Sequence, residues 1–480
     1  MELHYYPETL RFFDDLRSRS MNKTIRIIIA FCLSSLFSAP ALSQQHLIFL
    51  DGYLGWYYSL PAYLKDNHAQ LETLPFSGFS VVGNVFTSYV MSADPNSNNV
   101  TYERVWNEVG ILENVFQVKT DNFLRINLDF PGDFWDDDVW QITARNFSAV
   151  AKAAKNLGFK GVLFDDEPYA SGQHLHANYM SNFKFPKKAA VQANPGNYEQ
   201  WEIDESETNR GDWIDYSCRI NGINEVDSEN CAYRNLNYSF IEHMDKLTSR
   251  FKDIMLAMQV EFPDITLLVL HGAATAHPGT NTPGHYIKPN SLFETNEYKG
   301  AMFAGFQKGL AGNAQLHDLG EFYSYSADAH FQNAYQWRKH EIASEASNAL
   351  DASYQWVIPG GQRSTWSDDV GVGFMVSDYD QAYFDRGGYN TSGLCTPADV
   401  ESRFMKAFDA SDDYVMFYSD SSLSSCESDI RWMDVSSPVE PQWLNMMQRV
   451  YNSIQALPDP QETQFFVIPV DNQKHVVIPL

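Results

Sequence analysis

The sequence predicts a (β/α)8 TIM barrel with a long insertion after strand four, and two observations carry that reading. Short apolar runs alternate with longer amphipathic ones, and eight such runs can be marked off along the chain. No Gly-rich phosphate loop follows the first run, which counts against a doubly wound open sheet.

The first strand is read at Leu47–Leu50, ended by Asp51-Gly52, and the second at Gly78–Val82. Helical character follows over Tyr102–Val115, then a third strand at Phe123–Phe130, closed by Pro131-Gly132. Asp136, Asp137 and Asp138 crowd acid where a helix dipole favours it, and Ile142, Phe147, Val150, Ala154 and Leu157 keep helical spacing until Gly158. Gly161–Phe164 is the fourth strand. From 169 to 237 the pattern dissolves into Asn, Gly, Ser and acids, which marks the insertion. Periodicity resumes with Ile241, Met244, Leu247, Phe251, Ile254 and Met258 on one helix face. The fifth strand is Ile265–Leu270, and a helix over Tyr298–Leu310 leads to the sixth at Ala314–His317. A helix over Asn333–Leu350 precedes a seventh strand at Tyr354–Ile358, and one over Val400–Ala410 precedes the eighth at Tyr414–Tyr418. After Pro438 come a helix and a strand at Phe465–Ile468 suited to pair with Val476–Ile478.

These elements divide the chain into three parts. Residues 1–43 read as an upstream segment and export signal: Met21 opens it, Lys23 and Arg26 supply the positive end, Ile27–Phe37 is the apolar run, and Ala41-Leu42-Ser43 offers small residues for cleavage. Residues 44–437 form the barrel with its insertion at 169–237, and 438–480 a C-terminal extension packed on the barrel. A secreted or periplasmic location follows, with no membrane span in the mature chain and an oligomeric state the sequence does not specify. Of the five cysteines, Cys32 leaves with the signal. Cys218, Cys231, Cys395 and Cys426 remain, and sequence proximity in an oxidising compartment favours Cys218–Cys231 and Cys395–Cys426 bridges. A net charge of −27 argues against nucleic acid, whose phosphates would be repelled.

In a barrel of this kind the active site lies past the C-terminal ends of the strands. The polar residues there are Asp51, Asn84, Asp129, the Asp165-Asp166-Glu167 cluster, His271, Asp318 with Glu321, Gln362 with Arg363, and Asp420. One acidic strand end means little, because Asp also starts turns and caps helices. Acid at the ends of strands one, three, four, six and eight points to a shared mouth. Glycoside hydrolysis needs a protonated carboxyl for the leaving oxygen and a second group opposite it. Crowding on strand four suits Glu167 to the acid/base role, with Asp165 beside it, while Glu321 and Asp420 compete for the second role. Asp51, Asp129, His271 and Arg363 are candidate polar contacts to substrate. Trp135, Tyr169, Tyr323 and Trp366 are candidate stacking residues, with Trp56, Tyr57 and Trp432 near the same loops. No cofactor is implied, and His271, His277 and His317 lack metal-ligand spacing.

Gly161–Tyr169 resembles the fourth-strand motif of several barrel glycoside hydrolases, in which Asp-x-Glu or a Glu before Pro ends the strand. The likeness to the large retaining clan implies Glu167 as acid/base. The clan's nucleophile follows strand seven, where Pro359–Trp366 here carries no Glu. The likeness to chitinase-like enzymes runs through Asp165-x-Glu167 and implies that Asp165 assists a nucleophile belonging to the substrate. The expected partner is therefore a glycan. The rival readings are a non-catalytic carbohydrate-binding barrel and a metal-dependent hydrolase, because one fold hosts many chemistries.

Overall fold

The computed structural model describes residues 45–52, 57–91, 100–128, 134–166, 240–273, 297–320, 325, 327–343, 364–378, 396–419, 430–437, 439–455, 465–471 and 474–479. Nine strands among them join one parallel sheet: β1 (His46–Asp51), β2 (Gly78–Val81), β3 (Phe123–Asn127), β4 (Gly161–Asp165), β5 (Thr266–Val269), β6 (Gln315–Asp318), β7 (Val370–Val372), β8 (Phe374–Ser377) and β9 (Tyr414–Ser419). Their order is β7-β6-β5-β4-β3-β2-β1-β9-β8. The two ends of that order, β7 and β8, are consecutive in the chain and separated by Gly373 alone. They are two halves of one interrupted strand: β7 pairs with β6, and β8 with β9. The sheet is thus an eight-fold barrel, closed but for the interruption at Gly373.

Helices alternate with the strands as a parallel barrel requires. They are α1 (Pro61–Leu71), α2 (Tyr102–Val109), α3 (Asp137–Asn156), α4 (Phe240–Glu261), α5 (Glu297–Gly309), α6 (Asp328–Gln336), α7 (Trp366–Asp369), α8 (Pro397–Ala410) and α9 (Pro441–Gln455). Local chemistry sets their limits. The Asp136 carboxylate accepts the Val139 N–H at 3.2 Å to cap α3, and Asp137 and Asp138 complete an acidic first turn. Gly158, at φ +72°, ends the same segment in the left-handed conformation that glycine tolerates. Thr396 caps α8, whose first residue, Pro397, lacks the N–H that would otherwise go unpaired there.

Two differences from the sequence reading matter for the site. The barrel's seventh strand is Val370–Ser377, whereas Tyr354–Ile358 lies outside the described residues. The helix expected over Asn333–Leu350 is α6 followed by a π turn at Trp337–Glu341. The 169–237 insertion, residues 1–43 and all four candidate bridging cysteines lie outside the described residues.

Residues 45–454 form one compact unit. A second unit contains β10 (Phe465–Asp471) and β11 (Lys474–Pro479), an antiparallel pair with Ile468 opposite Val476. No helix among the described residues is long and apolar enough to cross a membrane.

Candidate active site

Strand side chains alternate between faces, so each strand-end acid has a face assigned by its neighbours. Ile48, Leu50, Phe123, Leu163, Leu268, Leu270, Met375 and Met416 pack together as the barrel interior. The intervening residues, among them Phe49, Ile126, Phe164, Val269, Val376 and Phe417, join the larger core between strands and helices. By this period of two, Arg125, Asn127 and Asp165 face the interior. Asp51, Asp166, Asp318 and Asp378 fall on the opposite face. Among the described strand-end acids expected from the sequence, Asp165 faces the interior, while Asp51, Asp166 and Asp318 lie on the outer face; Asp129, Glu167, Glu321 and Asp420 lie outside the described residues.

Asp165 is fully buried and ion-paired with Arg125 Nη2, itself only 2 % exposed. The pairing follows from register: Asn127 of β3 lies beside Asp165 of β4, and Arg125 is one inward step below. Arg125 Nε donates to Asn127 Oδ1 at 3.2 Å, and Thr87 Oγ1 donates to the Arg125 carbonyl at 2.9 Å. Each charge supplies the other's counter-charge in a place that water does not reach.

Asp166 faces the other way. Its Oδ1 accepts the His271 N–H at 2.8 Å, and its Oδ2 lies 3.7 Å from Lys299 Nζ on α5. This ties the end of β4 to the end of β5 and to the helix that follows β5. Asp318 receives Arg338 Nη1 at 3.2 Å from the π turn. Burial pushes its carboxyl above the usual range, the nearby Asp166 adds to this, and Arg338 offsets it in part. The Asp318 carboxyl occupies the space a Cβ on Gly272 would need, and Gly272 has φ +65°.

Asp378 ends the seventh barrel strand. Its Oδ2 accepts Ser419 Oγ at 2.7 Å and Trp432 Nε1 at 2.9 Å. Burial pushes this carboxyl up to about 6, against the opposing pull of those two donors and of Arg403. An acid does follow the seventh strand, twelve residues beyond Trp366, because the strand itself lies later in the chain, but it sits on the outer face.

Of the other candidates, Glu167, Tyr169, Asp129, Glu321, Tyr323, Arg363 and Asp420 lie outside the described residues. Asp51 is buried at the end of β1. His271 is half-buried and engages Asp166 through its backbone. Trp135 is half-buried, with Lys246 Nζ 5.2 Å from its ring centroid. Trp366 is completely buried, donates from Nε1 to the Arg338 carbonyl at 2.8 Å and packs on Phe303. Its indole fills the core and does not face a ligand. Trp432 is likewise buried. Sequence reasoning overlooked Arg125, Lys299, Arg338 and Asp378, of which Asp378 alone carried a signal, as the acid closing the run Val370–Ser377. Among the described residues, no cluster of three or more His, Cys, Asp or Glu is placed to hold a metal ion.

No protein-family model matches the chain, and no curated protein matches it. Among solved structures it is similar to a β-mannanase from the blue mussel Mytilus edulis, with 10 % identity over 85 % of this chain and 95 % of that one, at a TM-score of 0.37. It is similar to xylanase B from Clostridium stercorarium, with 14 % identity over 79 % and 88 % of the two chains, at a TM-score of 0.27. A third likeness is to endonuclease IV from Thermus thermophilus, with 10 % identity over 85 % and 98 %, at a TM-score of 0.24. Likenesses this slight transfer neither fold nor activity, and the barrel rests on its own strand register.

Proposed function

We propose that this chain is an exported glycoside hydrolase that cleaves O-glycosyl bonds of a polysaccharide or oligosaccharide, with Glu167 as acid/base. One observation carries the reading: the first two carboxylates of Asp165-Asp166-Glu167 are both committed to structural partners. Asp165 is spent on Arg125 inside the barrel, and Asp166 on the His271 N–H and Lys299 outside it. Glu167 is the member of the motif left for chemistry. This moves Asp165 from an assisting role to a supporting one. Glu321 and Asp420 stay as candidates for the second carboxyl, each following a barrel strand in sequence. Export fits the signal-like residues 1–43, and an oxidising destination fits the even number of cysteines left beyond them.

The test is turnover of a glycan panel by the purified chain beside Glu167→Gln. Loss of a general acid/base is expected to lower kcat by about 10²–10⁴-fold. Equal turnover by both proteins would remove Glu167 from the mechanism.

A further inference from the structure

Three tyrosines in mutual contact follow β1. The Tyr57 ring lies 5.5 Å from that of Tyr58 and 5.4 Å from that of Tyr63, and the rings of Tyr58 and Tyr63 are 5.0 Å apart. Two of the hydroxyls are tied down. Tyr63 donates to the Met433 carbonyl at 2.6 Å and accepts the Val435 N–H at 3.1 Å. Tyr58 donates to Asp434 Oδ2 at 3.0 Å, and Arg431 lies 3.8 Å from the same carboxylate. The segment is also anchored by its backbone, since the Ser59 carbonyl accepts the Val82 N–H, just past β2, at 3.2 Å. The cluster is therefore held at the C-terminal ends of β1 and β2, the end at which barrel active sites lie.

Tyr57 differs from its two neighbours. It is 53 % exposed, and it is the only aromatic among the exposed large apolar side chains of the described residues. A lone exposed ring is ordinary on a protein surface. This one is buttressed by two immobilised rings, Tyr58 edge-on and Tyr63 tilted, and stands beside the barrel mouth. A ring held in this way has little conformational entropy left to lose when a ligand covers it.

We propose that Tyr57 is a stacking platform for a pyranose ring of a neutral glycan, at a subsite on the β1–β2 side of the mouth. The choice of ligand class rests on the glycoside hydrolase reading. The apolar C–H face of a pyranose matches an exposed aromatic face. The net charge of −27 disfavours a polyanionic glycan.

The experiment is calorimetric titration of mannohexaose, xylohexaose and cellohexaose into Glu167→Gln, which leaves ligand intact, and into the same protein carrying Tyr57→Ala or Tyr57→Phe. For the hexasaccharide that binds, Tyr57→Ala is expected to weaken affinity about tenfold and Tyr57→Phe less than about twofold, with both variants still folded and Tm lowered by no more than a few degrees. Binding unaffected by Tyr57→Ala, an equal loss in Tyr57→Phe, or no binding of any of the three sugars by the parent protein would overturn the platform. Turnover by the native chain is read alongside. Tyr57-dependent binding without turnover sinks the hydrolase and keeps the platform, and turnover with Tyr57-independent binding does the reverse.

Discussion

Asp165 and Asp378 are carboxylates buried at the ends of barrel strands, one on the fourth and one on the seventh, and they are held by opposite means. Asp165 points inward and meets a guanidinium that is always charged. Asp378 falls on the outer face and meets a hydroxyl and an indole N–H. Those two donors and the charge of Arg403 fall short of the cost of burial, and its carboxyl is pushed up to about 6. A strand-end acid is thus defined less by its place in the barrel than by which face it takes and what meets it there.

The largest expected effect comes from breaking the strand-four arrangement. Arg125→Met leaves Asp165 buried without its cation, and urea unfolding at pH 7 should show a loss of about 3–5 kcal/mol. Adding Asp165→Leu should recover most of that loss, and a single-variant cost below about 1 kcal/mol would dissolve the contrast.

The strand-seven acid should behave otherwise. Its folded-state value of about 6 lies above the ordinary 3.8, so the folded chain keeps a proton that the unfolded chain has released between those values. The stability linked to this group is full below about pH 4 and is lost as pH climbs through about 6. Asp378→Asn, neutral throughout, should raise stability by about 2–3 kcal/mol at pH 7 and by nothing at pH 3.5. Parallel pH–stability curves for variant and wild type would count against this account.

The smallest effect sharpens the same point. Ser419→Ala removes one donor to Asp378 and should cost about 1 kcal/mol in the same unfolding assay. That hydroxyl lowers the Asp378 value, so its loss should also move the pH of the stability change upward.

Seven of the eight barrel strands were legible in the sequence, because each is a short, mainly apolar run with a turn signal behind it. The seventh was not. Val370–Ser377 carries glycine at 371 and 373, which dilutes its apolar density, while Tyr354–Ile358 has the aromatic and β-branched composition that a strand favours. The site was legible as a set of acids, and the faces of the described ones were not. Parity divides the acids between faces, and it can be counted only once the interior residues of each strand are known. The partners Arg125, Lys299 and Arg338 left no sequence signal, since each reaches its acid from another element. Trp366 was drawn to the site by its aromatic type, yet it follows the π turn inward to the core.

Gly371 has a consequence of a different kind. A Cβ there would stand 2.1 Å from Nδ1 of His317, the inward-facing residue opposite it on β6. The imidazole is buried beside Tyr414, and burial holds it down to about 3, so it sits there as a neutral filler. The space inside this wedge of the barrel is shared property: one strand surrenders its side chain so that its neighbour can keep a large one. In relatives of this chain the two positions should covary as a pair, with bulk passing from one strand to the other and the total conserved.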